Sequence, residues 1–184
     1  MNHHFHPSFP AWRLLLWVGG SLALVTPWLL MRFTGEDAWT AFDFVVFSVM
    51  VGAVCAGFEL AMRLSNQWTY RLGAIMSVMG GFLMVWANLA VGIIGNEEDP
   101  RNLMFYGVLL IGVVGALVTK FNARGLTWTV RTMAAAQVVI FLVSALLDWA
   151  LLPVFTVFYV SLWVIAGELF KKSINTKRSN ESDM

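Results

Sequence analysis

Long apolar runs, separated by short hinges that hold most of the charge, constrain this chain more than any other feature. A helix needs roughly 20 consecutive apolar residues to cross the hydrocarbon core of a bilayer. Runs that fit this length cover about 12–31, 39–62, 70–95, 102–119, 127–147 and 153–170. Lipid offers no partner to a bare backbone N–H or C=O, so segments of this length must be helical. The sequence therefore predicts an all-α, polytopic transmembrane bundle of six spans. Pro100 cannot continue a helix and marks the break between the third and fourth. Only 12% of residues are charged against 59% hydrophobic. Soluble domains average roughly a quarter charged, so the composition excludes that class.

Residues 1–11 read as a flexible cytoplasmic lead. Its His3, His4 and His6 are of a type that ligates metals, but a short polar terminus with Pro7 and Pro10 is the plainer reading. The first run is longer than a signal-peptide core and has no A-x-A site after it, so an uncleaved first helix is expected. The charged residues 171–184 are expected to form a disordered tail.

Six spans place successive hinges on alternate sides. Ten of the twelve lysines and arginines (Arg13, Arg63, Arg71, Lys120, Arg124, Arg131, Lys171, Lys172, Lys177 and Arg178) then share one side, leaving Arg32 and Arg101 on the other. By the positive-inside rule both termini are cytoplasmic. Trp12, Trp68 and Trp128 fall at inner interfaces and Trp28, Trp39 and Trp149 at outer ones, as an aromatic belt requires. Glu36, Asp37, Glu97, Glu98, Asp99 and Asp148 make the outer face acidic. A net charge of +1 gives no bulk attraction for nucleic acid. Cys55 is the sole cysteine, so an intramolecular disulfide is impossible.

Helices in lipid meet through small residues that permit close approach and polar ones that hydrogen-bond across. On the third span Gly73, Ser77, Gly81, Asn88, Gly92 and Gly95 recur at helical spacing and share a face. Ser48, Gly52, Cys55, Glu59 and Arg63 do so on the second, and Gln137, Ser144 and Asp148 on the fifth. These stripes are expected to converge, with the third helix at the middle. Packing is the simple role of the glycines. Asn88 and Gln137 lie where an unpaired amide is costly, so each is expected to find a partner, either a neighbouring helix or a substrate. Glu59 precedes Arg63 by one turn and Glu168 precedes Lys171 and Lys172, both in the favourable order for ion pairs. Asp43 and Asp148, at helix ends, are the acids that would join Asn88 and the Asn96–Asp99 loop in a polar site.

Glu97, Glu98 and Asp99 supply the oxygens that hard cations take, but not at EF-hand spacing, so a solvated acidic loop is the plainer reading and no resident cofactor beyond lipid is expected. Asn102 reads as an N-cap for the fourth span. No span contains a histidine for haem ligation or an interior lysine for a Schiff base, and G-x-S-x-G, H-E-x-x-H and P-loop motifs are missing.

The run W-A-N-L-A-V-G-I-I-G-N-E-E-D-P-R-N-L-M-F, with the later G-A-L-V-T-K-F and A-A-A-Q, resembles a family of small bacterial inner-membrane proteins with a W-x-N-x-A-V-G-I-I-G-x-E-x-x-P-x-N stretch. The resemblance covers the third to fifth spans. It implies a bacterial inner-membrane setting and carries no chemistry. The sequence as a whole points to a non-enzymatic membrane subunit that assembles with itself or with a membrane partner. The alternative is a small oligomeric cation or proton channel or transporter built on Asn88, Asp43, Asp148, Glu59 and Gln137.

Overall fold

The computed structural model describes residues 11–35, 39–149 and 153–182. The lead with His3, His4 and His6, the acids Glu36 and Asp37, and the side chains of Lys177 and Arg178 lie outside the described residues. The described chain is all helical: α1 (Ala11–Thr34), α2 (Ala41–Leu64), α3 (Trp68–Ala90), a 3-10 turn (Pro100–Asn102), α4 (Leu103–Val118), α5 (Ala123–Leu146) and α6 (Pro153–Ser182). Six helical segments are long and apolar enough to cross a membrane, the fourth counted from Pro100. Their outward faces suit only lipid: α4 exposes Leu110, Val113, Leu117 and Val118, and no residue of α1 is buried. This is an integral, multi-pass membrane protein.

The chain divides into two compact units, Met1–Glu59 and Leu60–Met184. In the first, α1 meets α2 where Gly20 lies against Cys55 and Val51. A Cβ at Gly20 would stand 2.9 Å from the Cys55 Sγ.

In the second unit α5 packs most closely on α6, α3 on the other side of α6, and α4 on α5. Within this unit the third helix is therefore not at the middle: α6 lies between α3 and α5, and α3 barely touches α4. Glycines set each seam. Gly73 and Gly80 let α3 approach Ala166, Phe170, Leu162 and Trp163 of α6. Gly112 and Gly115 receive Met133 and Thr129 of α5, and Gly167 receives Val130. Trp163, Phe105, Phe170 and Met84 fill the space between. Phe170 meets Tyr70 edge-on at 5.4 Å, and the Tyr70 hydroxyl donates to the Phe121 carbonyl at 2.7 Å.

Three boundaries differ most from expectation. The third span ends at Ala90 rather than Gly95, because Gly92 (φ 69°) and Gly95 (φ 66°) turn left-handed and break the helical ladder. The fifth begins earlier, at Ala123, where Asn122 accepts from the N–H groups of Arg124 and Gly125. The tail expected to be disordered continues α6 to Ser182, with Ser173 buried and its hydroxyl donating to the Phe170 carbonyl at 2.7 Å.

Candidate functional site

The connection between α3 and α4 is organised by one amide. Asn102 is 4% exposed. Its Oδ1 accepts from the backbone N–H groups of Ile93 (3.1 Å) and Ile94 (2.7 Å), and its Nδ2 donates to the carbonyls of Ile94 (3.1 Å) and Asn96 (2.6 Å). An amide side chain has two donor and two acceptor sites, and here all of them are filled. Asn102 thus makes no capping bond to α4; it reaches back across the loop instead. Asp99 takes the capping role, accepting from the Arg101 N–H at 2.9 Å, with Pro100 at the first position of the turn. Gly92 and Gly95 complete the frame. A Cβ on Gly92 would collide with the Asn96 carbonyl, and one on Gly95 would stand 2.8 Å from an Asp99 oxygen.

The Arg101 guanidinium closes back on the Asp99 carboxylate through Nε, at 2.8 Å, and Nη2. It also lies over the Trp149 ring, 5.2 Å from the centroid, which ties this loop to the α5–α6 connection. Hydrogen bonds from the Arg101 side chain, and then from its backbone N–H, hold the Asp99 carboxyl down at about 2.

Between the end of α3 and this loop lies a cleft of about 410 Å³. Asn88, Leu89, Glu97, Glu98, Leu103 and Tyr106 are on its walls, together with residues of the turn. Asn88 is 2% exposed, and its Nδ2 donates to the Met84 carbonyl of its own helix at 3.0 Å. That carbonyl can only accept, so the amide is oriented with Oδ1 turned the other way, and Oδ1 has no partner within the chain. Asn88 and the acidic loop thus do meet.

Most of the other polar residues singled out by sequence are engaged within their own unit. Asp43 is exposed and accepts from the N–H and hydroxyl of Thr40, each at 2.7 Å, closing the start of α2 as a capping pair. Glu59 receives the Arg13 guanidinium at 2.5 Å and the Trp17 indole N–H at 3.2 Å, both from α1. Glu168 receives Arg131 of α5 at 2.7 Å, with Lys171 at 3.9 Å. Asp148 is left-handed (φ 54°) in the turn after α5, where the Trp149 N–H returns to the Ser144 carbonyl at 2.9 Å. Asp148 and Gln137 do not line the cleft. Gln137 is 1% exposed, and neither amide atom has a partner within the chain.

Of the residues expected to pack, Gly73 meets α6, and Gly81 has Leu109 of α4 at ordinary contact distance. Ser77 bonds to the Gly73 carbonyl of its own helix, a Cβ at Gly52 would meet no other helix within 4 Å, and Gly92 and Gly95 lie beyond α3. Sequence reading did not single out Trp163, which is fully buried with its indole N–H unpartnered. Gly80 across from it was the available signal. Among the described residues no three His, Cys, Asp or Glu side chains come together to hold a metal ion. No protein-family model, curated protein or solved structure matches this chain.

Proposed function

We propose that this protein is a non-enzymatic subunit of the bacterial inner membrane, with both termini cytoplasmic, that works by assembling with copies of itself or with a membrane partner. The observation that carries this reading is the use made of the carboxylates inside the spans. Asp43 closes a helix start, Glu59 takes Arg13 and Trp17, and Glu168 takes Arg131. Intramembrane acids are the usual agents of proton relay and ion passage, and these three serve the protein's own structure. Small residues on outward faces supply the means of assembly. Gly19, Gly52 and Gly107 would each accept a Cβ with no atom within 4 Å, so a second helix can approach closely there. The cytoplasmic assignment rests on the distribution of lysine and arginine, and the bacterial one on the resemblance of the Trp86–Asn102 run.

In-membrane crosslinking with native mass spectrometry tests the proposal. A defined oligomer or partner complex is expected, weakened by Gly52→Leu or Gly107→Leu; a lone monomer in native membranes would overturn it. A cation pathway is the competing reading, favoured by the meeting of Asn88 with Glu97 and Glu98 in one cleft. Liposome flux that falls to background in Asn88→Ala would support it. Background flux in the unaltered protein would remove it.

A further inference from the structure

We infer that the cleft at the α3–α4 end of the second unit is a binding site for a primary ammonium group carried on a short apolar body. Two independent features converge there. The first is the pair of exposed carboxylates on Glu97 and Glu98, presented by a loop that Asn102 and Asp99 hold in one conformation. The second is the Oδ1 of Asn88, buried at the cleft wall and without a partner. A buried acceptor left bare is costly unless something donates to it, and an ammonium N–H is such a donor.

The chemistry of the walls narrows the class. An anion is repelled by the carboxylates. A divalent metal ion asks for several carboxylate oxygens at once, and the third acid of the triplet, Asp99, is already closed on Arg101. A volume of about 410 Å³ is also far larger than a bare ion fills. It lies within the roughly 300–1,000 Å³ of small-molecule sites. Leu89 and Leu103 give an apolar wall for a few methylenes, and Tyr106 adds an aromatic residue to the lining. A primary ammonium satisfies each part: charge toward Glu97 and Glu98, one N–H toward Asn88, carbon against the leucines. It can come from a free small amine or from the ethanolamine headgroup of a lipid, since Asn88 and Leu103 belong to the terminal turns of two spans, where headgroups lie.

The site is tested on the full chain in nanodiscs of choline lipid, titrated with butylammonium and, separately, with tetramethylammonium, which has no N–H to give. Saturable binding of butylammonium below about 10 mM is expected, with tetramethylammonium roughly tenfold weaker, the size of one charge-assisted hydrogen bond. Glu97→Gln with Glu98→Gln, at exposed positions that leave the fold intact, should lower butylammonium affinity roughly tenfold. Asn88→Leu should erase the preference for the primary amine. A second arm asks whether ethanolamine lipid is retained by the purified protein over choline lipid, and whether the double variant loses it. Butylammonium binding assigns a free amine, and selective lipid retention assigns a headgroup. Failure of both, or equal binding by the double variant, overturns the inference. Either outcome is independent of whether the protein assembles, which crosslinking reads separately.

Discussion

Two buried amides in the same unit behave in opposite ways. Asn102 fills every hydrogen-bonding site it has, whereas Gln137, equally buried, fills none within the chain. The difference lies in the backbone around them. Residues 93–95 lie beyond the last rung of the α3 ladder, so their N–H and C=O groups lack helical partners and a single side chain can serve several at once. Gln137 sits inside α5 among helices whose backbone groups already bond to one another, and it finds no loose group to meet. An amide on a loop is consumed by structure. An amide on a packed helix is left for water, a ligand or another helix, and Asn88, with one atom used and one bare, stands between the two.

Asn102 should be the most sensitive of these positions. Asn102→Leu strands the N–H groups of Ile93 and Ile94 and the Ile94 carbonyl, while the Asn96 carbonyl keeps the Asp99 N–H. Each buried group left unmet costs about 1–3 kcal/mol, so a loss of roughly 3 kcal/mol or more is expected in the free energy of unfolding in mixed micelles. Asn102→Asp keeps the acceptor and should lose less. A loss under about 1 kcal/mol for the leucine variant would mean that water replaces the clasp.

At the helix seams, Gly80 and Gly81 are adjacent and should respond differently. A Cβ at Gly80 would lie 2.7 Å from the Leu162 Cδ2 and 2.9 Å from the Trp163 Cη2, and Trp163 is fully enclosed. Gly80→Ala should cost about 1–2 kcal/mol, as overpacking does. A Cβ at Gly81 meets only the Leu109 Cδ2, at 3.6 Å, so Gly81→Ala should change the same unfolding free energy by less than about 0.5 kcal/mol. Equal effects at the two sites would show that α3 is not held against α6 through Gly80.

Gln137→Leu carries the comparison back to the interior. Removing a buried polar group that has no partner, with little change in volume, is expected to leave stability within about 1 kcal/mol of the original or to raise it. A loss as large as that of Asn102→Leu would reveal an ordered water on Gln137. Thermal unfolding monitored by far-ultraviolet circular dichroism distinguishes the two.

How far the sequence could be read follows the same division. Span number and helical class were legible because lipid forces length and apolarity on every span, and α1 to α6 lie where the runs lie. Asn88 was legible as a buried polar group needing explanation. The central position of α6 was not, because small residues mark where a helix can be approached and not by which neighbour. Gly73 and Gly80 face α6, while Gly112 and Gly115 face α5. The clasp was illegible for another reason. Asn102 looks like any helix cap, and its reach back to Ile93 and Ile94 depends on two left-handed glycines whose φ angles no periodicity reports. Asp43 misled in the same way: an acid in an apolar run suggests an ion site, yet Thr40 three residues earlier makes it a cap.

Acid should act only weakly on Asp99, whose pairing with Arg101 holds the cleft's loop from the solvent side. Its carboxyl is drawn down to about 2 from an ordinary 3.8, chiefly by hydrogen bonds from the Arg101 side chain. A depressed carboxyl contributes stability that is fully present above the unfolded value and is lost as pH falls through the folded one. The loop should therefore hold unchanged down to about pH 4 and loosen toward pH 2, over the interval between the two values. Trp149, which carries Arg101 over its ring, reports the change. Its emission, read in a variant with the other tryptophans replaced by phenylalanine, should shift across that interval and lose the shift in Asp99→Asn. Glu97 and Glu98 are present in both proteins, so the difference between the two curves belongs to Asp99. High salt should shrink it, since the pair borders solvent and is screened. A shift that survives Asp99→Asn would place the acid sensitivity elsewhere in the loop and leave Asn102 as its principal clasp.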